Sequence, residues 1–270
     1  MIIDFHTHIF PDKIAKKTIE YLSEKGGIPP FSDGSFSGLL SEMEKGEVDV
    51  AVNLPVVTAP KQFESINRFA SELNAMPQNG THRIISFAGI HPEEERVEQR
   101  LDQIVERGIK GIKLHPDYQG AFFDCDGYVH IIKEAKKRGL IVLTHAGVDG
   151  AFRSEEVKCT PERVLRTLDR VGGYEKLVLA HLGGNELLDE VYERLAGLDL
   201  YFDTAYILGS VGREEFLAPV RKHGADRILF ASDSPWQNIT DNLRRIRSFA
   251  LPPEEEEKIL YKNAKALLEI

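Results

Sequence analysis

The sequence predicts an α/β protein built as a single (β/α)8 barrel, and two observations lead to that prediction. Its 270 residues agree with the ~250 residues that such a barrel needs as one unit. Short β-branched runs also alternate with amphipathic helical segments from one end of the chain to the other. We therefore expect one domain over residues 1–270, with parallel strands joined by helical crossovers.

Eight segments have the length and composition of buried strands, and nearly all precede a segment with helical periodicity. Eight such units close into a barrel more readily than they lie in one open sheet. An open, doubly wound sheet is the alternative, but no glycine-rich dinucleotide fingerprint follows any of the strands. The predicted strands are residues 2–9, 48–54, 83–90, 109–115, 140–145, 177–181, 199–204 and 228–232.

The helical segments are identified by apolar stripes and by their first residues. In residues 160–171, Thr160 is a suitable N-cap, and Pro161 stands at the first helical position, where its missing N–H costs little. Another segment carries the stripe Ile66, Phe69, Ala70 and Leu73. The loop-rich residues 26–38 follow the first unit, where a barrel places the rim of its active site.

Composition and charge exclude several classes of partner. The net charge of −9 argues against nucleic acid, whose binding relies on clustered Lys and Arg. We see no apolar run that could cross a bilayer and no signal peptide, and expect no membrane partner. Cys125 and Cys159 form no CxxC pair, which favours a reducing cytoplasm. The expected partner is a small-molecule substrate, and assembly into a homo-oligomer is left open.

Histidines concentrate at the ends of the predicted strands. Six of the nine histidines lie at or just past the C-terminal end of a strand, although such positions are a small fraction of the chain. The active sites of (β/α)8 barrels lie at that face, and histidine is the commonest metal ligand among side chains. The clustering therefore predicts a metal site there. The six are His6, His8, His91, His115, His145 and His181.

The spacing of these residues indicates which kind of metal site they form. His6 and His8 are two apart on one strand, so alternation directs both side chains to the same side. His145, His181 and Asp233 each end another strand. Nitrogen and oxygen ligands from separate strands, with room left for water, are typical of a catalytic metal site. The alternative, a set of hydrogen-bonded core residues, needs five independent coincidences on one face.

Lys113 and His115 share one parity on the fourth strand and should point the same way. An inward lysine is costly unless it is paired or functional. It could bind an anionic group of the substrate, or be carboxylated and bridge two metals. A buried structural ion pair is the remaining alternative.

These motifs, in this order, resemble the amidohydrolase superfamily. Within it, the chain resembles the amidohydrolase-related branch that includes aminocarboxymuconate-semialdehyde decarboxylase and γ-resorcylate decarboxylase. The resemblance covers almost the whole chain. The motifs that carry it are Asp4-x-His6-x-His8, Lys113-x-His115-Pro116, His145, Ala180-His181-x-Gly183-Gly184 and Ser232-Asp233-x-Pro235.

The resemblance implies a ligand set and a catalytic group. His6, His8, His145 and Asp233 would hold one divalent ion, Zn²⁺ or a similar metal, and His181 would act as acid, base or polarising group. Two ions are the alternative, because binuclear relatives carry a carboxylated lysine on the fourth strand.

We therefore expect a metal-dependent hydrolase of a small, carboxylate-bearing amide, lactone or ester. Water on such an ion has a pKa of about 7, and Asp233 would orient that water and accept its proton. His181 would polarise the carbonyl or protonate the leaving group, while Lys113 or His115 meets the anion of the substrate. The alternatives are a non-oxidative decarboxylase on the same residues and a metal-free barrel that serves as a binding protein.

Overall fold

The computed structural model describes residues 1–76 and 82–270. Within them, parallel strands alternate with helices, as the sequence predicts. The strands are β1 (Ile3–Thr7), β2 (Val50–Asn53), β3 (Arg83–Ser86), β4 (Ala88–Gly89), β5 (Gly111–Leu114), β6 (Ile141–Thr144), β7 (Leu177–Leu179), β8 (Tyr201–Asp203) and β9 (Ile228–Leu229).

The helices lie between the strands and after the last one. No helix in the described ranges is long and apolar enough to cross a membrane. The helices are α1 (Asp12–Gly26), α2 (Phe36–Gly46), α3 (Phe63–Ala75), α4 (Val97–Glu106), α5 (Pro116–Gln119), α6 (Asp126–Lys137), α7 (Pro161–Val171), α8 (Leu188–Arg194), α9 (Arg213–His223), α10 (Ile239–Ser248), α11 (Pro253–Glu257) and α12 (Asn263–Leu268).

Backbone hydrogen bonds link the strands into a ring. β1, β2 and β3 pair in that order, and β4 to β9 pair in sequence order. β3 and β4 are two halves of one strand, separated only by Phe87. The first and last strands are joined because the Phe5 N–H donates to the Phe230 carbonyl (2.9 Å) and the Asp233 N–H donates to the His6 carbonyl (2.9 Å). The predicted (β/α)8 barrel is confirmed.

Two apolar clusters fill the structure. The larger one lies between strands and helices, and the second, which includes Phe5 and Leu143, fills the inside of the ring. Ala264 and Leu267 of α12 belong to the inner cluster, and Lys110, just before β5, donates to the Leu268 carbonyl. The C-terminal helix therefore closes the N-terminal end of the barrel, which leaves the C-terminal ends of the strands open for a site.

The strands are shorter than the sequence predicted, above all the last one. The strand predicted over residues 228–232 is observed only over Ile228–Leu229, because side chains accept the hydrogen bonds of two backbone N–H groups that follow it. The Ala231 N–H donates to Thr204 Oγ1 (2.9 Å) and the Ser232 N–H to Asp4 Oδ1 (2.9 Å). The predicted cap of α7 is confirmed, since the Arg163 N–H donates to Thr160 Oγ1.

Candidate metal centre

A β-bulge in β1 turns both first-strand histidines into the barrel mouth. Between Asp4 and Thr7, β1 has one residue more than the paired stretch of β2. Phe5 packs in the inner cluster, so strict alternation would turn His6 toward the helices. The extra residue resets the alternation, and His6 and His8 both line the cavity at the strand ends.

Three donor atoms converge at this point. His6 Nε2 lies 3.2 Å from His8 Nε2, and Asp233 Oδ1 lies 3.4 Å from the former and 3.2 Å from the latter. Two ligand atoms that bind one ion at about 2.1 Å lie roughly 3.0–3.4 Å apart at octahedral to tetrahedral angles. Asp233 reaches this place from a left-handed backbone conformation, φ 69°, a strain typical of functional positions. The three atoms fit a single divalent ion.

The other nitrogens of the two rings have acceptors, which fixes their protons. His6 Nδ1 lies 2.8 Å from Asp203 Oδ2, and His8 Nδ1 lies 3.0 Å from the Leu54 carbonyl. Each Nδ1 therefore donates, and each Nε2 keeps its lone pair for a metal. Burial holds the pKa of His6 well below its usual value, so that ring is neutral.

Lys113 lies beside the three donor atoms. Its side chain is 1% exposed, and Nζ is 3.0 Å from His6 Nε2. Burial lowers the pKa of Lys113 to about 8, against the attraction of Asp203 and Asp233. The ammonium donates to the lone pair that a metal would use, so the two cations compete for His6 Nε2.

His181 and His145 form a hydrogen-bonded pair next to this centre. His181 Nδ1 donates to the Ala205 carbonyl (2.9 Å), and His181 Nε2 lies 2.9 Å from His145 Nδ1. Burial lowers the pKa of His181 to about 4, so its ring is neutral and Nε2 accepts. His145 Nε2 is buried without a hydrogen-bond partner, 3.8 Å from Asp117 Oδ2.

His145 belongs to a second group of possible ligands, with His115 and Asp149. The rings of His115 and His145 stack, with centroids 4.3 Å apart and planes 7° apart. One donor atom each of His115, His145 and Asp149 lie within 4.8 Å of one another. A histidine binds a metal in the plane of its ring, so two stacked rings cannot both bind one ion well. Among the described residues, the tight set is thus His6, His8 and Asp233, and His145 as a fourth ligand stays a prediction.

Asp203 is a site residue that the sequence analysis missed. Its Oδ1 accepts from the backbone N–H groups of His181 (2.9 Å) and Ala205 (3.0 Å), while Oδ2 accepts from His6. Burial raises the pKa of Asp203 to about 7. The residue lies near the end of the predicted seventh strand, residues 199–204, so the rule that selected the strand-end histidines would also have selected it.

The centre lies at the inner end of a cavity of about 790 Å³. Lys113 and His115 line it, as do the other strand-end histidines except His91. The His91 Nδ1 instead accepts from the Glu93 N–H (3.2 Å). The barrel thus brings the predicted ligands, the predicted catalytic His181 and the predicted substrate-binding residues to one cavity.

The barrel and this strand-end site define an enzyme of the amidohydrolase superfamily. Residues 3–270 match the family model described as amidohydrolase, so the chain belongs to that family. No curated protein matches the sequence.

Solved structures share the fold. A 2,6-dihydroxybenzoate decarboxylase complexed with 2,6-dihydroxybenzoate is 16% identical, with a TM-score of 0.72 over 100% of this chain and 99% of that chain. A Pseudomonas putida protein provisionally named 2-pyrone-4,6-dicarboxylic acid hydrolase is 16% identical, with a TM-score of 0.68 over 99% and 97%. The 5-carboxyvanillate decarboxylase from Novosphingobium aromaticivorans, complexed with manganese and 4-hydroxy-3-methoxy-5-nitrobenzoic acid, is 15% identical, with a TM-score of 0.73 over 100% and 96%.

Proposed function

We propose that the protein is a metal-dependent hydrolase of a small, carboxylate-bearing ester, lactone or amide. The observation that supports this most strongly is the convergence of His6 Nε2, His8 Nε2 and Asp233 Oδ1, 3.2–3.4 Å apart, at the inner end of a cavity. Two lone pairs and a carboxylate facing one point attract a cation and match the ligand types of a divalent metal. The open cavity on the other side leaves room for water and substrate, as in catalytic sites.

The proposed ligands are His6, His8 and Asp233, with His145 as the fourth. His145 is proposed from the family resemblance, and its Nδ1 connects it to this centre through the hydrogen bond with His181. When bound, a divalent ion supplies a water of lowered pKa and polarises a carbonyl oxygen. Zn²⁺ and Mn²⁺ both suit imidazole and carboxylate ligands, and we propose one ion per chain.

The protein's own groups would move the protons. Asp233 accepts the proton of the attacking water. His181 is neutral, and its Nδ1–H is already donated to the Ala205 carbonyl, so its Nε2 must gain a proton before it can protonate a leaving group. The proton that Asp233 takes from the water is the source of that proton, because a neutral His145 that gave up its Nδ1–H to His181 would be left as an imidazolate anion.

Lys113 would bind the carboxylate of the substrate. Its ammonium lies in the cavity beside the ligand atoms, and a substrate anion there would relieve the repulsion between lysine and metal. His115, which also lines the cavity, is the second group within reach of that end of the substrate.

A decarboxylase is the second candidate, because two of the structures with this fold bear that name and were solved with benzoate ligands. Loss of CO2 would use the same residues, with the carboxylate as the leaving group. Turnover in ¹⁸O-labelled water separates the candidates: hydrolysis places the label in the organic product, whereas decarboxylation releases CO2 and leaves the organic product unlabelled.

Metal analysis of the purified protein tests the centre. We expect about one Zn²⁺ or Mn²⁺ per chain in the native protein and none in His8→Ala. The control is His130→Ala, which removes an exposed histidine of α6 from a surface group with Glu98 and Glu134 and should leave the content unchanged. Native protein that holds no metal and takes up none on titration would refute the proposal and favour a binding protein.

A further inference from the structure

The cavity is larger than a one-ring acid requires. Sites for drug-sized ligands span about 300–1,000 Å³, and this cavity of about 790 Å³ lies in the upper part of that range. Only its inner end is polar and buried: His6 and Lys113 are each 1% exposed. Two helices, α1 and α3, contribute to its outer part.

α1 presents a second face, in part apolar, to the cavity. Its buried residues, Ala15 and Ile19, pack toward the barrel. Ile14 and Tyr21 lie on another face together with Thr18 and Lys25, since positions three, four and seven apart share a side of a helix, and all four line the cavity. Ile14 and Tyr21 are nevertheless 50% and 61% exposed, so water covers apolar side chains at the mouth of the site.

α3 forms an apolar wall of the same cavity. Its residues Phe63, Ala70 and Leu73 are buried. Ile66 and Phe69 are only half-buried, and they line the cavity. The cavity thus runs from a buried, charged end to a more exposed end, where apolar side chains of both helices face it.

We infer that the substrate carries an extended apolar tail, an acyl or arylalkyl chain, that lies between α1 and α3. This inference rests on the proposed function for the position of the carboxylate at Lys113. The tail would displace water from Ile14, Tyr21, Ile66 and Phe69. Each methylene that leaves water for an apolar wall improves affinity about threefold to fourfold.

A series of non-hydrolysable acids tests the tail site. Calorimetry would measure the binding of phenylacetate, 4-phenylbutyrate and 6-phenylhexanoate to the metal-loaded protein. We expect affinity to rise about threefold for each added methylene. An affinity that stays constant along the series would overturn the inference.

Matched variants locate the tail. Tyr21→Ser should reduce the gain per methylene, whereas Tyr192→Ser, which alters a 44% exposed tyrosine of α8 outside the cavity, should leave it unchanged. Equal losses in both variants would contradict the assignment.

The acids contain no bond to hydrolyse, so the two proposals fail separately. A rising series in a protein that hydrolyses no ester, lactone or amide would support the tail site and refute the hydrolase. Hydrolysis of one-ring substrates together with a constant series would refute the tail site alone.

Discussion

Replacing Asp203 by Asn tests how the protein prepares His6 for a metal. The Asp203 carboxylate accepts three hydrogen bonds, two at Oδ1 from the backbone N–H groups of His181 and Ala205 and one at Oδ2 from His6 Nδ1. An asparagine has one oxygen and one NH2 group in these places. Which of them faces His6 decides the outcome.

The two backbone donors fix the orientation of the amide. Reversing it would leave the buried N–H groups of His181 and Ala205 facing another donor, at about 1–3 kcal/mol for each unsatisfied group. The NH2 group therefore faces His6 Nδ1, which must then accept. The ring proton moves to Nε2, the atom that a metal needs. Loss of such a supporting partner typically weakens metal binding 10–100-fold, or about 1.4–2.7 kcal/mol.

Competition with a chelator of known affinity measures this change, and thermal unfolding of the metal-free proteins checks that Asp203→Asn is folded. The control is Asp241→Asn, which alters an exposed aspartate in the first turn of α10. We expect the control to bind metal like the wild type. An unchanged metal affinity in folded Asp203→Asn would refute the argument, because His6 would then keep its tautomer without the carboxylate.

Three further predictions concern single residues. His181→Asn should keep the metal while activity falls about 10²–10⁴-fold, and loss of metal together with activity would make His181 a ligand instead. Lys113→Met should bind metal more tightly, since the ammonium competes for His6 Nε2, and its KM should rise. Loss of metal in this variant would indicate a carboxylated lysine. Unfolding of the variant would indicate that Lys113 belongs to a structural ion pair. His223 is buried and neutral, because burial lowers its pKa from 6.5 to about 4. Its contribution to the free energy of unfolding is therefore fully present above pH 6.5. That contribution falls by about 3 kcal/mol as the pH is lowered to 4. In denaturant unfolding, the free energy of unfolding of His223→Gln should fall less between pH 6.5 and pH 4 than that of the wild type. An equal fall in both proteins would contradict the prediction.

The barrel and the face of its site could be predicted because burial restricts a barrel strand on both sides. Strands covered by helices outside and by packed side chains inside must be continuous apolar runs. Polar residues are then conspicuous where such runs end, as at His145 and His181. These two residues were found without any knowledge of their partners.

The orientation of His6 depends on a feature that alternation does not predict. Alternation along the strand predicted that His6 and His8 point to the same side, and in the structure both line the cavity. Phe5 occupies the inside of the ring, so the pair faces inward only because of the extra residue between Asp4 and Thr7. A bulge depends on pairing with the neighbouring strand, so it cannot be predicted from the sequence pattern of one strand alone.

The roles of single ring nitrogens were also beyond the sequence. His145 ends its strand as predicted, yet it stacks on His115 and shares a hydrogen bond with His181. Position on a strand decides which cavity a side chain enters. The direction of its lone pairs is decided by side-chain torsions and by acceptors such as the Ala205 carbonyl, which come from distant parts of the chain.

The apolar stripe of α3 shows why a ligand surface can be mistaken for core. The stripe predicted from the sequence joined Ile66, Phe69, Ala70 and Leu73 as one face. In the structure that face has two neighbours: Ala70 and Leu73 are buried against the barrel, whereas Ile66 and Phe69 line the cavity. A periodic pattern records which side chains avoid water and not whether protein or a bound molecule covers them. Because residues of this one stripe differ in burial, we place the tail of the substrate at the half-buried pair, Ile66 and Phe69.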